Sequence, residues 1–143
     1  MKLIIKNTKP RRFVTDSDVG EKFAVTPVHG LSVEGHTTAI LANLIERDHG
    51  PLVAMKFRIN VAVDDHIETV AEERDYSSAV SLASYTSSTK SDWAAEAQAF
   101  VKWRDDVWEY VFTRLAAVES GEEEPPESAE EFIQDLPVMV WPE

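Results

Sequence analysis

The sequence predicts an α+β protein, with a small strand-rich N-terminal unit holding one helix and a mainly helical C-terminal part built on one long helix. Three observations carry this reading. Short β-branched runs such as Leu3-Ile4-Ile5 mark the N-terminal part, and an apolar-polar alternation runs from Val53 to Val63. From Ser91 to Val118, apolar residues instead recur every three or four positions. The expected division is 1–60 and 61–143.

Leu3-Ile4-Ile5 reads as the first strand, ending near Asn7 and Pro10. Phe13-Val14 and Lys22–Thr26 are further short strands, with Asp16-Ser17-Asp18 and Gly20 supplying turn chemistry between them. Pro27 and Gly30 punctuate the path to Leu31-Ser32-Val33. The period then changes. Thr37, Ile40, Leu41, Leu44 and Ile45 fall at helical spacing, and Gly50-Pro51 ends that helix.

From Val53 to Val63, the residues Val53, Met55, Phe57, Ile59, Val61 and Val63 alternate with Ala54, Lys56, Arg58, Asn60 and Ala62. Period two predicts a strand with one buried face. Asp65 with Glu68 suits a capping box opening a helix that runs to about Arg74, the switch falling near residues 61–64. Ala79, Val80, Leu82 and Ala83 predict a short buried helix with Tyr85 at its end.

The longest helix spans Ser91 to about Val118. Its stripe is Trp93, Ala97, Phe100, Val107 or Trp108, Val111, Leu115 and Val118, and Gly121 stops it. Glu122–Glu127, with its two prolines, predicts an extended exposed linker. Ser128-Ala129-Glu130-Glu131 is a capping box for a short helix through Phe132 and Ile133. Leu136 to Glu143 is an apolar tail that must pack on the long helix or on a partner.

Composition narrows the function classes. The chain has 143 residues, about one modal domain, and no cysteine, which excludes disulfides, thiolate metal sites and cysteine nucleophiles. This fits a reducing compartment. Fourteen basic against twenty-six acidic side chains leave a net charge of −12, which opposes binding to a phosphate backbone. The acids gather in the C-terminal half, whereas Lys2, Lys6, Lys9, Arg11 and Arg12 make the N-terminal end mildly basic. The apolar run after Met1 is too short for a signal peptide, and no stretch has the length of a membrane helix. A soluble protein is expected, with neither nucleic-acid binding nor membrane insertion.

Catalytic signatures are absent. His29, His36 and His49 lack metal-binding spacing, so no metal or other cofactor is expected. Asp64, Asp65 and His66 are consecutive and point apart on a helix start. There is no phosphate-cradling glycine loop, no nucleophile elbow and no calcium loop in the glutamate run. The serines of residues 77–91 supply caps and turns. We therefore expect a non-enzyme that works by binding.

Tryptophan is the more informative residue. Trp93 and Trp108 fit the core stripe, whereas Trp103 lies off it beside Lys102 and Arg104, either covering the C-terminal tail or anchoring an interface. The candidate partner-binding residues are Trp103, Arg104, Trp108, Tyr110, Val140 and Trp141.

Residues from about Asp64 to Trp141 also carry a spaced pattern. It comprises Asp65-His66-Ile67, Tyr76, Ser84-Tyr85, Glu96-Ala97, Trp103-Arg104-Asp105-Asp106-Val107-Trp108, a proline-containing spacer, Glu130-Glu131-Phe132-Ile133 and Leu136-Pro137. This resembles the C-terminal module of bacteriophage tail-fibre assembly or tail-chaperone-like proteins. The family's spacer often carries lysine or arginine, from which the acidic Glu122–Glu127 departs, and residues 1–60 match no part of the pattern. The resemblance implies a protein that assists tail-fibre or tail-tip subunits to fold, trimerise or attach. Its place is the host cytoplasm during assembly, or the virion tail if it stays bound. The alternatives are a permanent component of the tail or baseplate and, on charge alone, a DNA-mimicking inhibitor, against which the acids' gathering in a linker counts.

Overall fold

The computed structural model describes residues 3–6, 12–15 and 38–143, with side-chain placement from residue 42 onward. Five helices follow a pair of strands in the described residues. Leu3–Lys6 (β1) and Arg12–Thr15 (β2) pair antiparallel with Leu3 opposite Thr15. The helices are Thr38–His49 (α1), Pro51–Glu73 (α2), Ala79–Ala83 (α3), Ser91–Ser120 (α4) and Ala129–Gln134 (α5), with a 3-10 turn at Ser84–Ser87. The expected strand at Lys22–Thr26 and the run Leu31-Ser32-Val33 lie outside the described residues.

The α+β expectation is corrected. Residues 42–143 are 75% helical and contain no strand. The expected strand at 53–63 is the first half of α2, and Asp65 and Glu68 sit inside that helix rather than capping its start.

The reason is geometric. Ala54, Phe57, Ile59, Asn60, Val61, Val63, Ile67, Glu68 and Ala71 are all buried. At 100° per residue, their span from Ile59 through Phe57 to Ala54 takes in about 220° of the helix circumference. Asp65 and Thr69 lie on the exposed remainder. A helix covered on more than half its surface buries residues two apart, and that reads as strand alternation. Gly50-Pro51 both ends α1 and starts α2. Gly50 has φ 92°, the left-handed geometry of a helix end, and Pro51 occupies the first helical position, where its missing N–H costs nothing.

By contact density the chain divides into two compact units, Met1–Asp65 and His66–Glu143, with the boundary inside α2. The first holds α1 and the start of α2. There Arg58 faces Glu46 at 3.6 Å, an exposed pair of small energetic weight.

The second unit is organised by α4. Ala97, Phe100, Trp103, Val107, Val111, Leu115 and Val118 are buried along one stripe. Each fully buried large side chain contributes about 1.5–3 kcal/mol. Gly121 ends the helix at φ 81°, with Glu122 N–H donating to Ala117 O at 2.9 Å and Gly121 N–H to Val118 O at 3.2 Å. These are the paired bonds of a Schellman end. α5 opens with Ser128 Oγ accepting the Glu131 N–H at 3.2 Å, and Glu131 reaches back to the Glu127 N–H at 3.0 Å. α3 is capped twice. Ser78 Oγ accepts from Ser81 N–H at 2.9 Å, and Glu68 of α2 accepts from Ala79 N–H at 3.1 Å. Glu68 thus serves the start of a later helix, not its own.

Candidate functional site

The six candidate partner-binding residues do not form one patch. Trp103 belongs to the buried stripe, 5% exposed, correcting the expectation that it lies off it. Its indole N–H donates to the Pro137 carbonyl at 2.7 Å, and its ring meets Phe100 at 5.7 Å and the edge of His66 at 5.8 Å. Trp141 is half-buried and stacks on Phe100 at 6.4 Å, with the Arg74 guanidinium 5.2 Å from its own ring. Trp103 and Trp141 therefore hold the C-terminal tail against α4 with Phe100 between them.

The others point elsewhere. Trp108 stacks on Phe112 at 5.6 Å, whereas Tyr110, two residues on, faces Phe132 at 6.3 Å. Residues two apart on a helix face different ways. Arg104 pairs with its neighbour Asp105 at 3.1 Å. Val140 projects outward, 78% exposed, as does Val138 at 84%.

Arg114 joins α4 to the acidic linker and to α5. It donates to Glu123 at 2.5 Å and Asp135 at 2.9 Å, and its guanidinium lies 4.6 Å from the Phe132 ring. Glu123 is thereby tied down, so the acidic linker is not free along its whole length.

A polar constellation sits where α2 ends. Arg74 donates through Nε to Glu96 Oε1 at 2.8 Å and lies 2.5 Å from the same oxygen through Nη2. The Tyr76 hydroxyl donates to Glu96 Oε2 at 2.7 Å. Burial pushes the Tyr76 phenol up to about 12, aided by the Glu96 carboxylate beside it. Glu96 is held below the usual carboxylate range, first by the Tyr76 hydrogen bond and, against some burial, by Arg74. Burial also lowers His66, with Glu73 working the other way.

From Glu96 an aromatic row leads outward. Tyr76 and Tyr85 lie 5.7 Å apart, and Tyr85 meets Trp93 edge-on at 5.7 Å. Trp93, expected in the core stripe, is instead 49% exposed because the first turn of α4 extends past the packed part of the helix. These rings, with Asp75, Ser77 and Ser81, line a cleft of about 370 Å³. Asp75 is left-handed at φ 67° and closes α2 as Gly121 closes α4. Its N–H bonds Glu72 O at 2.9 Å, and the Tyr76 N–H bonds Ala71 O at 3.2 Å.

No local pattern in the sequence marks this cleft. Its members come from three segments, and the available signal was the presence of Tyr76, Tyr85 and Glu96 within one spaced pattern. Among the described residues no group of three or more histidines and acids is placed to hold a metal ion, and no helix is long and apolar enough to cross a membrane. No family model matches the chain, and neither a curated protein nor a solved structure matches it.

Proposed function

We propose that the protein is a non-catalytic binding protein that engages a tail-fibre or tail-tip subunit of a tailed bacteriophage and assists its folding or attachment. The observation that carries this reading is the coincidence between the spaced sequence pattern and the internal locks of the second unit. Tyr76 meets both Tyr85 and Glu96, and Trp103 meets both His66 and the Pro137 carbonyl at the tail. A pattern whose members hold one another in place is what a shared fold leaves in a sequence, so it supports a common module with the tail-fibre assembly proteins. The remaining surface suits binding. Trp93, Val80, Val138 and Val140 are exposed, and the acidic net charge opposes self-association.

The test is to co-express the chain with the fibre encoded beside it and purify the fibre. Soluble trimeric fibre only when both are present, with this chain co-purifying, is the expected result. Fibre that is soluble alone and ignores the chain would overturn the assembly role. Stoichiometric presence in purified virions would favour a permanent tail component.

A further inference from the structure

We infer that the cleft at the end of α2 takes an arginine side chain from the partner protein, with Asp75 as its counter-ion and the Trp93 and Tyr85 rings as its walls. This rests on the reading of the protein as a binding protein and adds the chemistry of what is bound. Charge singles out Asp75. Three other charged or hydrogen-bonding groups of the lining satisfy one another, because Arg74 commits its Nε and Nη2 to Glu96. The second Glu96 oxygen is occupied by the Tyr76 hydroxyl. Asp75 is left as the net charge, and its carboxylate has no hydrogen bond or ion pair within the described residues.

The walls select among cations. Trp93 is half exposed beside Tyr85, offering the aromatic surface on which a guanidinium stacks. Ser77 and Ser81 add hydroxyl acceptors. A planar group with five donors uses rings, carboxylate and hydroxyls together, whereas an ammonium uses the carboxylate mainly as a point charge. The volume of about 370 Å³ accommodates one long side chain rather than a folded element. The net charge of −12 favours approach of a basic segment.

The experiment titrates the isotopically labelled full chain with a blocked Ser-Gly-Arg-Gly-Ser peptide and follows it by NMR. Matched peptides carry lysine or the uncharged isostere citrulline in place of arginine. Saturable shifts at the Trp93 indole N–H and the Asp75 and Ser77 amides are expected with arginine. Binding should be several-fold weaker with lysine and at least tenfold weaker with citrulline. Asp75→Asn keeps a residue that tolerates the left-handed geometry and should lose at least tenfold in affinity. Equal binding by Asp75→Asn, equal binding of citrulline, or shifts spread along Glu122–Glu127 would overturn the proposal.

The Asp75→Asn chain also goes through the fibre co-purification. Loss of both peptide and fibre supports the assignment; loss of the peptide with the fibre retained overturns it while leaving the binding function standing. Failure of the native chain to retain fibre would remove the proposed function, and the peptide titration would still decide whether the cleft takes arginine.

Discussion

The indole N–H of Trp103 donates to the main-chain oxygen of Pro137 across 2.7 Å, joining residues 34 positions apart. Together with the Trp141 ring stacked on Phe100, this bond seats the C-terminal tail on α4. Proline has no N–H of its own, so its carbonyl is the only main-chain group it can offer. Trp103→Phe should keep most of the ring packing and lose this bond, at about 1–3 kcal/mol for the stranded carbonyl. Trp103→Ala should cost about 3–5 kcal/mol. Urea unfolding measures both, and hydrogen exchange should show the Val138 to Trp141 amides opening first in the phenylalanine variant. Unchanged stability in either variant would contradict the buried position.

The Glu96 constellation predicts a pH dependence with two limbs. Glu96 is held below its ordinary value of 4.5, so the stability it contributes is full above that pH and lost as pH falls through the lower folded value. Tyr76 is raised from 10.0 to about 12. Its contribution is therefore full below 10.0 and lost as pH rises toward about 12. Glu96→Gln should flatten the acid limb and lower stability at neutral pH by about 1–2 kcal/mol. Tyr76→Phe should remove its share of the alkaline limb. Thermal unfolding across pH, with phenolate absorbance for Tyr76, reads both.

Asp75 at φ 67° and Gly121 at φ 81° close two helices in the same way with different residues. Asp75→Gly relieves the left-handed strain and should stabilise the fold by up to about 1 kcal/mol. Gly121→Ala has open space for its methyl group but should lose about 1 kcal/mol through the backbone alone. Denaturant midpoints distinguish the two. A destabilised Asp75→Gly would mean that the carboxylate itself supports the fold.

Arg114→Ala should lower stability by about 1–2 kcal/mol, since it removes two ion pairs and the contact over Phe132 together. Arg114→Lys should recover less than half, because an ammonium cannot face two carboxylates and a ring in one plane. Hydrogen exchange should show faster opening from Glu122 to Asp135 in both variants. Opening elsewhere would mean that the linker is held by other contacts.

Much of the second unit was legible in the sequence because its determinants are local. The helix of residues 91–120, its glycine stop, the Ser128 cap and the short helix at 79–83 follow from spacing and end chemistry within a few residues. The sequence by itself also determined the absence of cysteine chemistry and the acidic charge. The absence of a nucleophile elbow or phosphate loop follows from it too.

What only the tertiary structure decided depends on burial from more than one side. Residues 53–63 alternate like a strand, yet they form a helix covered on more than half its circumference, and period alone cannot separate those states. Trp93 and Trp103 exchanged their expected places. Trp103 stands three residues after Phe100 and four before Val107, so spacing alone already favours the stripe over the off-stripe expectation. What the tertiary structure adds is the returning tail, seated on Trp103 through Pro137, and the open start of α4 that leaves Trp93 exposed. The cleft beside Glu96 is assembled from the end of α2, the serine-rich turn and the first turns of α4. No local rule relates the three, because their adjacency is made by packing and not by the order of the residues.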